Sequence, residues 1–401
     1  MKICLMLSNI FDPKFPSRPA ITEIYGECLP SFGHDVTWIM PSFDRRENFN
    51  KNHYKKVDIY TIYFGNSFFK PLNSFLHYLR KLFYLNRLLK ENEYELIQVR
   101  NNIFDSLLVL LLKKRYKFVF VFQYSFPKGF YYKNSKKLSY AFIKIEDKIA
   151  NYIIKKADFV LPISKGMKQK LMDCGIPNKK MMPLPLGANV KQFSPENKKN
   201  LREKYQLNKK TIFLYIGTLD RSRRLEIIIN AFSKVVKFKN DVCLLVVGSG
   251  NSENDLKKIT RELKLDDNVI FTGKISYFNI PDHIFTADIC LSPIPPLPIF
   301  VISSPTKLFE YMALEKPIIG NKGIIEQEEV LNESKGGLLV NFDADSFADA
   351  MIELLKDPEK SKSMGQNGRK WVKKNRDYKK MSLNIEKLYF TLTKKMDDKI
   401  I

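Results

Sequence analysis

The chain has 401 residues, 44% of them hydrophobic and 27% charged, a globular composition that excludes a disordered polypeptide. Its length exceeds what one core organises, so two domains of roughly 200 residues or fewer are expected. The formal net charge is +24, a field that draws nucleic acid, anionic lipid headgroups or anionic small molecules without choosing among them.

The excess sits in the first half, where residues 1–200 carry 34 Lys and Arg against 16 Asp and Glu. Five cysteines (Cys4, Cys28, Cys174, Cys243, Cys290) are scattered, without a CxxC or metal spacing. They read as reduced core residues of a cytoplasmic protein. The first residues look like a buried strand and not a signal peptide, and the apolar run 107–112 is far too short to span a bilayer.

Strand-like apolar runs alternate with helical patterns along the whole chain. In the first half the strands are predicted at 2–7, 36–40, 57–63, 96–99, 118–122 and 159–163, with an amphipathic helix over 72–89. In the second half they are predicted at 211–216, 242–247, 269–272, 289–291, 318–320 and 337–340, with helix over 371–389. Apolar runs separated by helices argue for parallel sheets, hence for two doubly wound α/β domains facing across a cleft. The polar, lysine-rich stretch 195–210 serves as the linker, giving domains over 1–195 and 196–380 and a terminal helix, 381–401, packing back on the first. Ligands of such sheets lie at the carboxyl ends of the strands.

The segment 303–313 is the most informative. Ser304 before Pro305 suits an N-cap and first helical position, so free amides and the positive helix end favour a phosphate there, with Thr306 and Lys307 in the first turn. Leu308, Phe309, Met312 and Ala313 form an apolar stripe that leaves Glu310 off the buried face. From Ser304 to Glu310 the rise is about 9 Å, so a diphosphate at the helix mouth brings a neighbouring ribose to the carboxylate. An ordinary capped helix with a solvated Lys and Glu is the alternative. Gly217 and Gly248, after the first two strands of the second half, permit close backbone approach or simply turn the chain.

In order and spacing these landmarks resemble the family 4 glycosyltransferases of the GT-B fold. The residues that carry the resemblance run from Gly33-His34-Asp35-Val36 through Ala157 to Ser164, Pro185-Leu186-Gly187-Ala188-Asn189, Tyr215 to Leu219 with Arg223-Arg224, Val247 to Gly250, Phe271-Thr272-Gly273 and Ala287-Asp288. The resemblance implies a retaining enzyme that uses an NDP-sugar as co-substrate, with no other cofactor. It implies that Ser304, Pro305, Thr306 and Lys307 hold phosphate, that Glu310 holds ribose, and that Arg223 or Arg224 neutralises the leaving diphosphate. The family's first donor-site glutamate falls on Ile302. Its glycine pair after the first strand is replaced near Pro16 and Ser17, and its histidine after the fifth strand by Gln123-Tyr124. Ser17, Arg18, Gln123 and Tyr124 are the acceptor-side candidates.

His53, His77 and His283 read as structural, and His34 as satisfying helix-end carbonyls. Asp343-Ala344-Asp345 spells a DxD but precedes a helix, so it reads as a cap, and no metal site is expected. The helix over 72–89 and the aromatic, basic stretch 126–133 suit either an anionic membrane surface or core packing with solvated lysines. Nucleic acid is not expected, for want of a recognised motif. The expected function is sugar transfer to a saccharide or polyprenyl-linked acceptor at the inner face of the cell membrane. A nucleotide-sugar epimerase of the same fold and a catalytically silent nucleotide-sugar or membrane-binding module stay open.

Overall fold

The structure, a computed structural model, describes residues 1–10, 12, 19–64, 70–125, 137–196 and 198–398. The chain divides into two compact units, Met1–Pro185 with Tyr378–Ile401, and Leu186–Asp377.

The first unit is built on a seven-stranded sheet, β1 (Lys2–Met6), β2 (Asp35–Ser42), β3 (Lys51–Tyr54), β4 (Val57–Tyr63), β5 (Leu96–Arg100), β6 (Val119–Tyr124) and β7 (Phe159–Pro162), in the order β3-β4-β2-β1-β5-β6-β7. All neighbours are parallel except β3, which pairs antiparallel with β4 at the edge. β3 was not expected: its partly exposed Lys-Asn-His-Tyr has no apolar run to mark it. Ile3 stands between Val36 and Leu96, so the strand order reverses at β1 and opens a crevice at its carboxyl end.

Three successive crossovers in one direction carry the helices α1 (Lys70–Glu91), α2 (Ile103–Leu112) and α3 (Lys137–Lys156). Right-handed connections of this kind lay all three on one face of the sheet, and α2 packs against both α1 and α3.

The second unit has a six-stranded parallel sheet, β8 (Thr211–Ile216), β9 (Val242–Val247), β10 (Val269–Gly273), β11 (Ile289–Ser292), β12 (Ile318–Asn321) and β13 (Gly337–Val340), in the order β10-β9-β8-β11-β12-β13. Here β8 is the switch point, with β9 on one side and β11 on the other. Two helices matter for the site, α4 (Thr306–Ala313) and α5 (Pro358–Asn375), which pack on each other.

The expected boundary at 195/196 falls ten residues late. Residues 186–195 belong to the second unit because Ala188 N donates to Arg376 O at 3.0 Å and Phe193 is buried in that unit's core. The helical stretch expected over 371–389 breaks at Arg376. Helix α6 (Tyr378–Asp397) then rejoins the first unit, where the Tyr389 hydroxyl donates to Gln98 and Tyr25 and Glu386 pairs with His34 at 2.8 Å. His34 therefore holds α6 and the amino terminus, not the carbonyls of its own helix.

Candidate functional site

At the carboxyl end of β8 two glycines bring bare backbone together. Gly217 has φ +157° and Gly248 φ +140°. A Cβ on Gly248 would lie 1.9 Å from Gly217 O, and one on Gly217 2.8 Å from Tyr215 Oη and 3.3 Å from Lys307 Nζ. No side chain fits at Gly248, and the space beside Gly217 is taken by Tyr215 and Lys307.

Helix α4 supplies that lysine. Its N-cap is Pro305, which has no side-chain cap to offer. Ser304 is not the cap the sequence suggested, because its Oγ accepts from Leu186 N at 2.9 Å and so fastens the start of the unit. The Tyr311 hydroxyl accepts from Ile216 N at 2.9 Å, pinning α4 to the end of β8. Thr306 and Lys307 remain half-buried while Leu308 to Ala313 are all buried.

The Lys307 ammonium lies 4.0 Å from the Tyr215 ring centroid, a cation–π contact. Burial and the neighbouring Arg223 guanidinium push its pKa well below the ordinary lysine value, with Glu310 opposing in part. Two half-buried cations held near each other are electrostatically unsatisfied and suit an anion.

Glu310 departs from expectation. It is 6% exposed, because α4 is enclosed by β11, β12 and α5. Its Oε1 accepts from the Tyr277 hydroxyl at 2.9 Å. Burial raises its pKa to about 7, while the Tyr277 hydrogen bond and Lys307 pull it down. The carboxyl is thus poised between acid and carboxylate near neutral pH.

The two arginines separate. Arg223 ends a short 3₁₀ turn, stacks over Phe300 at 4.4 Å and acts electrostatically on both Lys307 and Tyr215. Arg224 takes the left-handed conformation at φ +51°, lies over Phe342 at 5.8 Å and faces Glu226 at 3.7 Å. Gly217, Gly248, Lys307, Glu310 and Arg223 form one constellation, and Arg224 stands outside it. Ile302, at the position of the missing carboxylate, is buried.

Tyr215, Tyr277, Tyr311 and Phe300 were not foreseen as site residues. Tyr215 and Tyr311 lay within motifs, but Tyr277 and Phe300 enter only through tertiary packing.

In the first unit, Ser17, Arg18 and the stretch 126–133 lie outside the described residues. Gln123 is buried and its amide oxygen accepts from Gln98 at 3.1 Å, so it extends the network that holds α6. Tyr124 is half-buried against Phe122. A hollow of about 280 Å³ opens instead beyond β1, β2, β4 and β5, lined by Ser42, Phe43, Phe64, His77, Tyr78 and Asn102 among others. His77 Nδ1 donates to Tyr63 O at 3.1 Å, and burial with Lys81 and Arg80 lowers its pKa to about 4, leaving it neutral.

Asp343 caps the helix Ala344–Lys356 by accepting from Ser346 N at 2.7 Å, and Asp345 pairs with Lys234. Among the described residues no three His, Cys, Asp or Glu gather as a metal set, and no helix is long and apolar enough to cross a membrane.

Comparison with known proteins matches residues 197–371 to "Glycosyl transferases group 1" and residues 25–192 to "Glycosyltransferase Family 4". An uncharacterized glycosyltransferase of Methanocaldococcus jannaschii is 24% identical over 74% of this chain and 75% of its own length. A GDP-mannose-dependent alpha-(1-6)-phosphatidylinositol monomannoside mannosyltransferase of Mycolicibacterium smegmatis is 23% identical over 58% of this chain and 62% of its own, somewhat less than two-thirds. Among solved structures, a sucrose-phosphate synthase from Thermosynechococcus elongatus superposes with TM-score 0.78 at 20% identity, covering 98% of this chain and 99% of that one. Anabaena HepE in complex with UDP-glucose superposes with TM-score 0.71 at 15% identity, covering 98% and 100%.

Proposed function

Because the chain belongs to the family 4 glycosyltransferases of the GT-B fold, we propose that it transfers a sugar from an NDP-sugar to a saccharide or lipid-linked acceptor with retention of anomeric configuration. The observation that carries this reading is the single constellation at β8: two cations, Lys307 and Arg223, beside bare glycine backbone, with the Glu310 carboxyl one turn further along α4. The cations would hold the diphosphate and stabilise the charge that develops on it as the glycosidic bond breaks. The Glu310 carboxylate would accept from the ribose hydroxyls. The HepE complex with UDP-glucose and the GDP-mannose dependence of the mycobacterial relative support an NDP-sugar donor.

With both charges supplied by side chains, we infer that transfer proceeds without a divalent metal. In the retaining course, attack and departure take place on one face, and the leaving phosphate takes the acceptor proton. The acceptor is assigned to the first unit's strand-end hollow, where Phe43, Phe64 and Tyr78 offer stacking rings and Ser42 and Asn102 offer hydrogen bonds. The lipid-linked branch implies work at the cytoplasmic face of a membrane.

The test is transfer from a panel of UDP-, GDP- and ADP-sugars, with and without EDTA, to saccharide and polyprenyl-phosphate acceptors, reading the product anomer by NMR. An axial product from an axial donor, made equally in EDTA, is the expected result. An inverted product or no transfer with any donor would overturn the reading.

A further inference from the structure

The first turns of helix α1 point their apolar residues outward. Its apolar residues Leu72, Phe75, Leu79 and Phe83, spaced at i, i+3 and i+4 along one stripe, are 46%, 61%, 46% and 66% exposed. The opposite, buried stripe begins with Asn73, His77 and Lys81 and only then turns apolar, with Tyr84, Leu85, Leu88 and Leu89. Lys81 is 1% exposed and donates to both oxygens of the fully buried Asp105 of α2, at 2.8 and 3.0 Å. That pair, together with the buried Leu85 and Leu88, fixes the rotation of α1: turning the exposed apolar stripe inward would break a buried ion pair and expose those leucines.

The stripe has neighbours. Tyr78 of α1 meets Phe104 of α2 at 5.2 Å, and Phe104 and Leu111 stand exposed on α2, as do Ile145 and Tyr152 on α3. Since the three helices lie side by side on one face of the sheet, these residues belong to one surface, and exposed apolar groups gathered in this way mark an interaction surface.

Its charge selects the occupant. Apart from the buried Lys81–Asp105 pair, residues 70–91, 103–117 and 137–156 together carry thirteen Lys and Arg against three Asp and Glu. Beyond the ends of α2 and α3 opens a cleft of about 680 Å³ lined by Lys113, Lys156, Lys179, Lys180 and Lys395 around Asp158. Apolar side chains that enter an acyl boundary, bordered by lysines that meet headgroups, match an anionic bilayer in both chemistry and sign.

We propose that the outer face of α1, α2 and α3 is a docking surface for an anionic lipid bilayer. Leu72, Phe75, Leu79 and Phe83 insert among the acyl chains, and the lysine-lined cleft faces the headgroups. The proposal deepens the lipid-linked branch of the functional reading and rests on it only for its purpose.

The test is co-sedimentation of the full chain with phosphatidylcholine vesicles and with vesicles containing about 30 mol% phosphatidylglycerol, across salt concentration. Wild type should sediment with the anionic vesicles and be weakened by salt, while the exposed-site variant Leu79→Glu/Phe83→Glu should bind at least ~10-fold more weakly. Nucleotide-induced thermal stabilisation, measured on both proteins, should be equal, which shows that the variant is folded and lets the membrane and donor readings fail separately. Absence of wild-type binding to anionic vesicles, equal binding by the variant, or a variant-sensitive dimer in place of vesicle binding would overturn the proposal.

Discussion

Helices α1 and α4 are both amphipathic in sequence, and both fold with charge on the side that simple patterning assigns to apolar residues. In α4 the buried group is a carboxyl, Glu310, with one hydroxyl hydrogen bond, Lys307 acting only at a distance, and a pKa raised to about 7. In α1 it is a complete pair, Lys81 with Asp105, made twice over. A buried group left partly unsatisfied is available to a ligand, whereas a buried pair satisfied on both sides is a fastener. The difference separates the site from the scaffold more sharply than burial or charge does alone.

Breaking the fastener should have the largest effect. Asp105→Ala leaves Lys81 buried without its partner and should cost about 3–5 kcal/mol, read as a fall in the denaturation midpoint. The apolar replacement of both, Lys81→Met with Asp105→Leu, should recover most of it. A loss under ~1 kcal/mol in the single variant would show that the pair does not hold α1.

The arginines sharpen the functional half of the comparison. Arg223→Ala should lower turnover by roughly 10²–10³, the scale for losing one charge-stabilising donor, and should affect kcat more than donor KM. Arg224→Ala should change either parameter only a few-fold. Equal losses would erase the distinction drawn from their different partners.

Glu310 gives a pH signature. Its pKa is raised from 4.5 to about 7 in the folded chain, so between those values the folded state holds a proton that the unfolded state has released. The stability associated with the protonated form is complete below pH 4.5 and is lost as pH rises through 7, up to about 3 kcal/mol in all. Glu310→Gln keeps an oxygen for Tyr277 and should flatten the stability profile relative to wild type over that window. Superimposable profiles would mean that the carboxyl is charged throughout. The smallest effect belongs to Asp343→Ala, which removes a helix cap worth about 1 kcal/mol and should leave activity unchanged in the presence or absence of EDTA.

Most of the scaffold was legible because parallel strands buried on both faces read as apolar runs. β4, β8, β9 and β13 fall on the predicted residues, and the other predicted strands differ by one or two residues at their ends. The edge strand β3 escaped because one antiparallel neighbour and partial exposure ask for no such run. In the site, Lys307 and Glu310 came from one contiguous motif. Tyr277, which lies 33 residues before Glu310, came from packing alone. The choice of Arg223 over Arg224 turns on a single left-handed residue, Arg224 at φ +51°, and adjacent arginines in a sequence carry no trace of that. Periodicity likewise showed that α1 is amphipathic without showing that its first turns bury Asn73, His77 and Lys81, since Asp105, the partner that makes this possible, lies on another helix.

The most direct measurement is thermal stabilisation of the wild-type chain and of Glu310→Ala by UDP-, GDP- and ADP-sugars in EDTA, because a ligand of the native state must raise its apparent stability. One nucleotide class should stabilise the wild type selectively and the variant much less. No shift with any nucleotide, or a shift that Glu310→Ala leaves intact, would contradict the assignment of the donor to the constellation at β8.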